Sequence, residues 1–312
     1  MSGELLLALI PLVPLLASFG IVATRANPNL REGVSILAGI ILFILVVTLA
    51  ATIDWTAPPT LVLAEPVIGL KLALTPEPLG MLFALVASLL WPITTLYAVG
   101  YMRAHHEKNQ TRFYTAFAVS ISSAMCIALS GNMLTLFVFY EVLSIATYPL
   151  VTHAGTEKAK RAGRVYLGLL MGTSIGFLLL AMIWTWYLTG TLDFTPGGVF
   201  PDDVGEGVLS ILLLLYVFGT GKAALMPFHR WLPAAMVAPT PVSALLHAVA
   251  VVKAGVFTVL KVSVYIFGIE RIGQIAAADW LVVIAALTIV LASTIALRKD
   301  NFKARLAYST VS

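Results

Sequence analysis

Four ionisable side chains stand deep within apolar stretches of this chain, where they could exchange protons. Glu141 is central in "LFVFYEVLSIATYPL", Lys222 lies in "LLLLYVFGTGKAALMP", and His247 and Lys253 share "LLHAVAVVKAGVFTVLK". A charge at the bilayer centre costs about 2.5–3.5 kcal/mol on insertion scales. Burial raises the pKa of a carboxylic acid and lowers that of an amine, which brings both towards neutral pH. The residue types and their depth therefore indicate a proton relay.

A structural ion pair is the simpler interpretation of Glu141 and Lys222, because it would lock two helices together. It leaves His247 and Lys253 without a role. These two residues are six positions apart, about 240° around a helix and roughly 9 Å along it. They do not share a face, so a water molecule or another helix would have to connect them.

The segment "GKAALMPFHRWLP" places a proline and further basic side chains after Lys222. Pro227 cannot donate a helical hydrogen bond and clashes with the preceding turn, which predicts a break in the seventh helix just after Lys222. Non-helical backbone at membrane depth is tolerated where it is buried in protein or lines a wet cavity. The break is thus a candidate ion path, with His229 as a lesser member. An ordinary loop over 227–241 fits the charge pattern equally well.

Composition fixes the class of protein that must position these groups. The chain has 312 residues, of which 60% are hydrophobic and 11% charged, against about 25% charged in soluble domains. Mean hydropathy is +0.97. Apolar runs predict nine membrane spans, with a proline-interrupted extramembrane hairpin over 54–77. The spans are 4–24, 33–53, 78–101, 113–131, 132–152, 165–190, 207–226, 242–267 and 275–297.

Charges in the connecting loops predict the orientation of these spans. Basic residues follow the first, third, fifth and ninth spans, whereas the loops between are neutral or acidic. The basic sets are Arg25 and Arg31; Arg103, Lys108 and Arg112; Lys158, Lys160, Arg161 and Arg164; and Arg298, Lys299, Lys303 and Arg305. By the positive-inside rule these loops are cytoplasmic, and the N-terminus lies outside.

Several function classes are disfavoured by what the sequence lacks. The single cysteine, Cys126, rules out disulfide frameworks and cysteine-based metal clusters. The net charge of +4 is too small and scattered for nucleic-acid binding. The chain has no Walker loop, dinucleotide fingerprint, CxxC or HExxH. We therefore expect no bond chemistry, metal or cofactor on this chain.

Three long stretches together carry a family resemblance: "LFVFYEVLSIATYPLVTH", "GKAALMPFHRWLPAAMVAPTPVSALLHAVAVVKAG" and "FKARLAYSTVS". From about residue 75 onward the chain resembles the antiporter-like proton-translocating family. That family comprises the large membrane subunits of respiratory complex I, of energy-converting hydrogenases and of Mrp-type Na⁺/H⁺ antiporters. Among its branches the chain looks most like the D-type Mrp subunits.

The resemblance implies an all-α polytopic membrane protein, an antiporter-like helical bundle with a broken seventh helix. It implies that Glu141 is the essential glutamate of the fifth helix and Lys222 the lysine of the broken seventh helix. Lys253 corresponds to the eighth-helix lysine and His247 to the histidine that connects the lysines, with His229 as a further candidate.

The family has fourteen helices in two inverted five-helix repeats. The resemblance divides this chain into N-terminal helices with the hairpin (1–111), a first repeat or proton half-channel (112–267) and the start of a second repeat (268–312). The second repeat is mostly missing, because the sequence stops where a tenth span would begin. We therefore expect a C-terminally truncated chain that does not conduct ions across the membrane alone.

The function implied is proton translocation within a multisubunit Na⁺/H⁺ antiporter of a bacterial inner membrane. Its expected partners are other membrane subunits, H⁺, Na⁺ and the lipid bilayer, with no nucleic acid. The alternative is a proton-pumping subunit of a complex I-type NADH:quinone oxidoreductase or a membrane-bound hydrogenase. A purely structural scaffold locked by Glu141 and Lys222 is the third interpretation.

Overall fold

The computed structural model describes residues 2–245 and 250–312 as a helical bundle with one β-hairpin. His247 lies outside the described residues. The helices are α1 (Gly3–Ala23), α2 (Pro28–Thr52), α3 (Pro78–Ala104), α4 (Gln110–Ala128), α5 (Met133–Val151), α6 (Glu157–Thr173), α7 (Leu179–Thr189), α8 (Glu206–Gly219), α9 (Trp231–Ala235), α10 (Thr240–Ala244), α11 (Val251–Lys261), α12 (Ile269–Ile272), α13 (Ala276–Leu297) and α14 (Phe302–Val311). The strands are β1 (Leu61–Val67) and β2 (Leu70–Leu74).

Six helical stretches in the described chain are long and apolar enough to cross a membrane. They are α1, α2, α3, α5, the continuous stretch from α6 through α7, and α13. A π-helical segment, Ser174–Leu178, joins α6 to α7. Large apolar side chains such as Phe19, Leu96 and Val282 remain exposed on the outer faces of these helices, as expected where lipid replaces water. The prediction of a mainly helical, polytopic membrane protein is confirmed.

The hairpin is joined to the helical bundle through backbone hydrogen bonds. β1 pairs antiparallel with β2, and Gly69 turns between them with a φ of +82°, which suits glycine. The Gly131 N–H donates to the Ala73 carbonyl (2.9 Å), and the Thr75 N–H donates to the Leu129 carbonyl (2.7 Å). The hairpin, the α4–α5 turn and the 191–194 loop, which also bonds to that turn, together form what we call the hairpin side.

A buried charged cluster joins α2, α3 and α4 at the opposite side of the bundle. Glu32 accepts hydrogen bonds from Arg31 (3.2 Å) and from Arg103. Arg31 also donates to Gln110 (2.7 Å) and Thr111 (3.3 Å) of α4. Arg31 and Glu32 are only 5% and 3% exposed, so the sequence pattern was wrong to place Arg31 in a loop. It lies in the first turn of α2 and serves packing as well as any orientation signal.

The seventh predicted span, which corresponds to α8 in the structure, is interrupted, but at an earlier residue than Pro227 predicts. α8 ends at Gly219, and Thr220 leaves helical geometry with a ψ of 58°. Close contacts select this position: a Cβ on Gly219 would lie 2.4 Å from the Leu178 nitrogen, and one on Gly221 would lie 2.2 Å from the Thr173 hydroxyl. The backbone therefore turns where only glycine allows it to pack on the π-helical segment.

After the interruption the chain stays inside the bundle instead of forming an exposed loop. Lys222 lies in a 3₁₀ turn, Gly221–Ala223, and Ala224 adopts a left-handed φ of +57°. A second 3₁₀ turn, Phe228–Arg230, leads into α9, whose Trp231 is fully buried. Pro227 lies exposed between the two turns. The structure thus favours a broken helix over an ordinary loop.

Beyond α10 the chain continues through α11 into a π-helical stretch, Val262–Phe267. Gly268 then turns it with a φ of +84° towards α12 and α13. The division into repeats at 111 and 267 stays a prediction. Its two boundaries fall at a helix start and at this glycine turn.

A buried lysine in the interrupted seventh helix

The ammonium of Lys222 is held by oxygen atoms of α5. Its Nζ donates to the Tyr140 carbonyl (2.8 Å) and to the Ser144 hydroxyl (2.6 Å). It also lies 3.1 Å from the centre of the Tyr140 ring, a cation–π distance. The Lys222 N–H donates to the Tyr140 hydroxyl (3.1 Å). Lys222 is completely buried, so these groups replace its hydration shell.

The sequence of α5 explains why these oxygens converge. Tyr140, Ser144 and Thr147 are spaced four and three residues apart, which sets them along one face of the helix. Thr147 contacts the Tyr166 hydroxyl of α6 at 2.6 Å. On the other side of Lys222, the Trp231 indole N–H donates to the Gly221 carbonyl (2.9 Å). A polar row therefore runs from Lys222 along α5 within otherwise apolar packing.

Glu141 is next to this row and has an unsatisfied carboxyl group. Both of its side-chain oxygens are buried, and neither has a hydrogen-bond partner in the described residues. Glu141 is near enough to Lys222 for a Coulomb interaction. Because neither oxygen accepts a hydrogen bond from Lys222, the direct ion-pair lock is not formed in this arrangement. The structure brings Glu141 and Lys222 together as neighbours with separate environments.

Lys253 and His229, which the sequence also singled out, are not among the described groups that bind Lys222. Lys253 is exposed on α11, in a groove whose other lining is apolar and includes Phe83 and Val86 of α3. His229 is half-buried, with its ring centre 6.2 Å from that of Tyr308. No hydrogen bond joins His229 to Lys222 in the described part of the chain. The relay roles of Lys253, His229 and His247 stay predictions.

A second buried lysine, Lys261, was missed by the sequence analysis. It is completely buried and donates to the Ser130 carbonyl at 2.5 Å. Its Nζ is 3.1 Å from Glu77 Oε2, and the two side chains form an ion pair. The Phe194 ring centre is 3.9 Å away. The available signal was that Lys261, like Lys253, lies within the predicted eighth span.

Helix α11 connects the surroundings of the two buried lysines. Gly255 packs directly on the Lys222 turn, where an added Cβ would lie 2.4 Å from the Lys222 carbonyl carbon and 2.2 Å from the Ala223 nitrogen. Lys261 follows six residues later, roughly 9 Å further along the helix axis.

We expect Gly255→Ala to destabilise the protein, because backbone atoms at those distances cannot yield as a flexible side chain does. Overpacking of this kind costs about 1–3 kcal/mol. The measurement is the melting temperature of the detergent-solubilised, assembled protein. Gly172→Ala is the matched control, since a Cβ there meets nothing within 4 Å. Equal melting temperatures for the two variants would show that α11 does not press on the Lys222 turn.

A family-wide sequence profile described as "NADH:quinone oxidoreductase/Mrp antiporter, TM" matches residues 130–312, more than half of the chain. The matched region contains Glu141, Lys222, Lys253 and Lys261. The chain belongs to this family. The recognition of an antiporter-like membrane protein from its sequence is thereby confirmed at the level of the family.

Relatives of similar identity carry different names. The putative antiporter subunit mnhA2 of Staphylococcus haemolyticus is 30% identical over 256 residues, which are 79% of this chain and 30% of the relative. NAD(P)H-quinone oxidoreductase subunit 5 of the Paulinella chromatophora chromatophore is 31% identical, over 78% of this chain and 37% of the relative. The A/B-type subunit of a probable K⁺/H⁺ antiporter of Rhizobium meliloti is 31% identical, over 83% of this chain and 25% of the relative.

Solved structures show the same fold. The Mrp complex from Dietzia sp. contains a chain that matches with a TM-score of 0.78 and 26% identity, covering 97% of this chain and 33% of that one. A chain of an archaeal membrane-bound sulfane sulfur reductase matches with a TM-score of 0.80 and 24% identity, covering 98% of this chain and 62% of that one. This chain spans about a quarter to somewhat over a third of the curated relatives' length. The antiporter relatives carry A-type or A/B-type names, so they do not support the D-type assignment.

Proposed function

We propose that this chain is a proton-translocating membrane subunit of a multisubunit monovalent cation/H⁺ antiporter. We place it in a bacterial inner membrane with its N-terminus outside, as the loop charges predict. The observation that carries the proposal is Lys222: a completely buried ammonium in an interrupted helix, bound by neutral oxygens, with an unsatisfied carboxyl group near it. Ionisable groups of this kind inside membranes are a mark of proton and ion pathways.

The mechanism rests on the mutual influence of Glu141 and Lys222. An ionised Glu141 favours the protonated form of Lys222, and a neutral Glu141 removes that support. When Glu141 takes up a proton, the positive charge on Lys222 is no longer stabilised, and Lys222 releases a proton to the next group of the relay. The neutral amine of Lys222 stays hydrogen-bonded to α5. Lys253, His247 and His229 are the proposed further members of this relay. Lys222 lies in the 3₁₀ turn that follows the interruption, and from there its ammonium donates to Tyr140 and Ser144 of α5.

The cation is proposed from the relatives. The resemblance to Mrp-type antiporters favours Na⁺, while the Rhizobium meliloti relative is named for K⁺/H⁺ exchange. The second candidate is a proton-pumping subunit of a complex I-type enzyme, favoured by the 31% identical relative that is named for a quinone oxidoreductase. Both candidates use the same buried lysine. They differ in whether a cation gradient or electron transfer drives the proton.

The experiment that tests the proposal measures ΔpH in inverted membrane vesicles that carry the complete protein with its partner subunits. We expect an imposed ΔpH to collapse on addition of Na⁺, and to persist on addition of choline as the control cation. A K⁺ addition distinguishes the two cations. If oxidation of NADH or another reduced substrate generates a ΔpH, and no added cation changes it, the redox candidate replaces the antiporter.

A further inference from the structure

The second buried lysine forms a site that the proposed relay does not use. Lys261 Nζ contacts the Ser130 carbonyl of the α4–α5 turn, the Glu77 carboxylate that precedes α3 and the ring of Phe194. Through this ammonium, α11 is joined to three other parts of the chain at the hairpin side. We propose that Lys261 and Glu77 form a second proton-exchange site, through which the route from Lys222 reaches the hairpin side of the protein.

The burial of the two partners gives this site a direction. Lys261 is fully enclosed, whereas the side chain of Glu77 is 14% exposed. Above them the hairpin, the α4–α5 turn and the 191–194 loop are joined by backbone hydrogen bonds. Glu77 is therefore the group through which the enclosed ammonium meets the exterior.

The position of α11 links this site to the proposed relay, on which the inference rests. Gly255 is in contact with the Lys222 turn, and Lys261 is roughly 9 Å further along the same helix. The side chain of Thr258 lies buried between them along that helix. The π-helical stretch that starts at Val262 follows directly, and such irregular turns are frequent at functional sites.

The proton step needs only these two groups. An N–H bond of the Lys261 ammonium breaks and an O–H bond forms on Glu77, which leaves a neutral amine and a neutral carboxylic acid. Glu77 then releases the proton to water at the hairpin side, and a proton delivered from the Lys222 side restores the ammonium. In the other direction the same steps run in reverse. No oxidant, metal or cofactor enters the balance.

Few other charged groups in the described chain act on the pair. Tyr265 lies one turn after Lys261, and its ring centre is 5.9 Å from Lys261 Nζ. Asp193 precedes Phe194 and is exposed, as is Lys71 of β2. The described elements packed on α11 carry further titratable side chains, and none of these forms a hydrogen bond or ion pair with Lys261 or Glu77: Tyr97, Tyr101 and Arg103 of α3, Arg112, Tyr114 and Cys126 of α4, Tyr140, Glu141 and Tyr148 of α5, and Lys222 of the adjacent turn. Glu77 is the carboxylate in direct contact.

Lys261→Arg separates proton exchange from structural pinning. Arginine keeps the positive charge next to Glu77 but does not release its proton at physiological pH. We expect the complete complex with Lys261→Arg to retain its membrane level and melting temperature, and to lose proton movement on the order of 100-fold, a typical contribution of a proton-transfer group. The control is Lys160→Arg, in the exposed Lys160–Glu157 pair, which we expect to transport as wild type.

Glu77→Gln is the second variant, and it covers the case in which arginine does not fit. We expect slow transport that no longer responds to pH on the hairpin side, since the exposed acceptor is gone. Normal transport with a normal pH response in either assembled variant overturns the proposal.

The outcome also separates this inference from the proposed function. If Lys222→Met stops cation-dependent ΔpH while Lys261→Arg and Glu77→Gln transport normally, only the second site is wrong. If the wild-type complex shows no cation-dependent ΔpH, the antiporter proposal is wrong. Redox-driven ΔpH then becomes the readout for the same variants, with the same expected losses.

Discussion

We expect Lys222→Met in the complete, assembled protein to abolish coupled proton movement in vesicles, while its membrane level stays close to wild type. Methionine fills a similar volume but carries no proton. The Tyr140 carbonyl keeps a hydrogen bond in the variant, because the Ser144 hydroxyl also donates to it (3.2 Å). The burial of a charge is relieved at the same time. The loss is therefore one of transport and not of folding, and ΔpH with a membrane immunoblot measures both.

Two comparisons make this result specific. Lys158→Met removes an exposed lysine of α6 and should leave transport unchanged. Glu141→Gln should reproduce the transport loss, because it keeps the shape of the side chain and removes its exchangeable carboxyl proton. A scaffold role predicts the opposite pattern, with reduced assembly and normal transport per assembled complex. Normal ΔpH in both Lys222→Met and Glu141→Gln would exclude the relay.

Glu32→Ala has the largest expected effect on stability. Glu32 is the carboxylate shared by Arg31 and Arg103 at the junction of α2 and α3. Its removal leaves Arg31 buried without this counter-ion, and breaking a buried pair in this way costs about 3–5 kcal/mol. We expect a large fall in membrane abundance and in the melting temperature of the solubilised protein.

The control for Glu32 is a carboxylate in an exposed pair. Glu157 is 2.8 Å from Lys160, and both side chains are largely exposed, where such pairs contribute about 0–1 kcal/mol. Glu157→Ala should therefore leave abundance and melting temperature nearly unchanged. Removing Arg31 together with Glu32 should recover part of the loss. Equal effects of Glu32→Ala and Glu157→Ala would mean that the buried cluster does not hold the helices together.

The parts of the structure that the sequence predicts well depend on local composition. Span-length apolar runs fix the long helices, and a charge within such a run identifies Glu141 and Lys222 without any contact being known. The proline-rich, alternating stretch before α3 likewise indicates the hairpin. In these cases the signal lies in a window no longer than one helix.

The parts that it misses depend on contacts between distant residues. Pro227 is a local signal for a break, yet the break occurs at Gly219 because Leu178 and Thr173 approach the backbone there. Lys253 and Lys261 lie in one apolar run, but the face that each presents depends on how α11 packs, and this places Lys261 inside and Lys253 outside. Glu77 and Lys261 are far apart in sequence, so neither identifies the other.

Tyr140 contacts Lys222 through three of its own groups: its carbonyl, its ring and its hydroxyl. A free lysine side chain has about 2 kcal/mol of rotamer entropy, which is lost here when the protein folds. The side-chain nitrogen of Lys222 is thus held in place by Tyr140 in the folded protein. In the proposed relay we therefore expect little reorganisation around Lys222, and we expect the slow step at less constrained groups such as the unsatisfied Glu141 carboxyl.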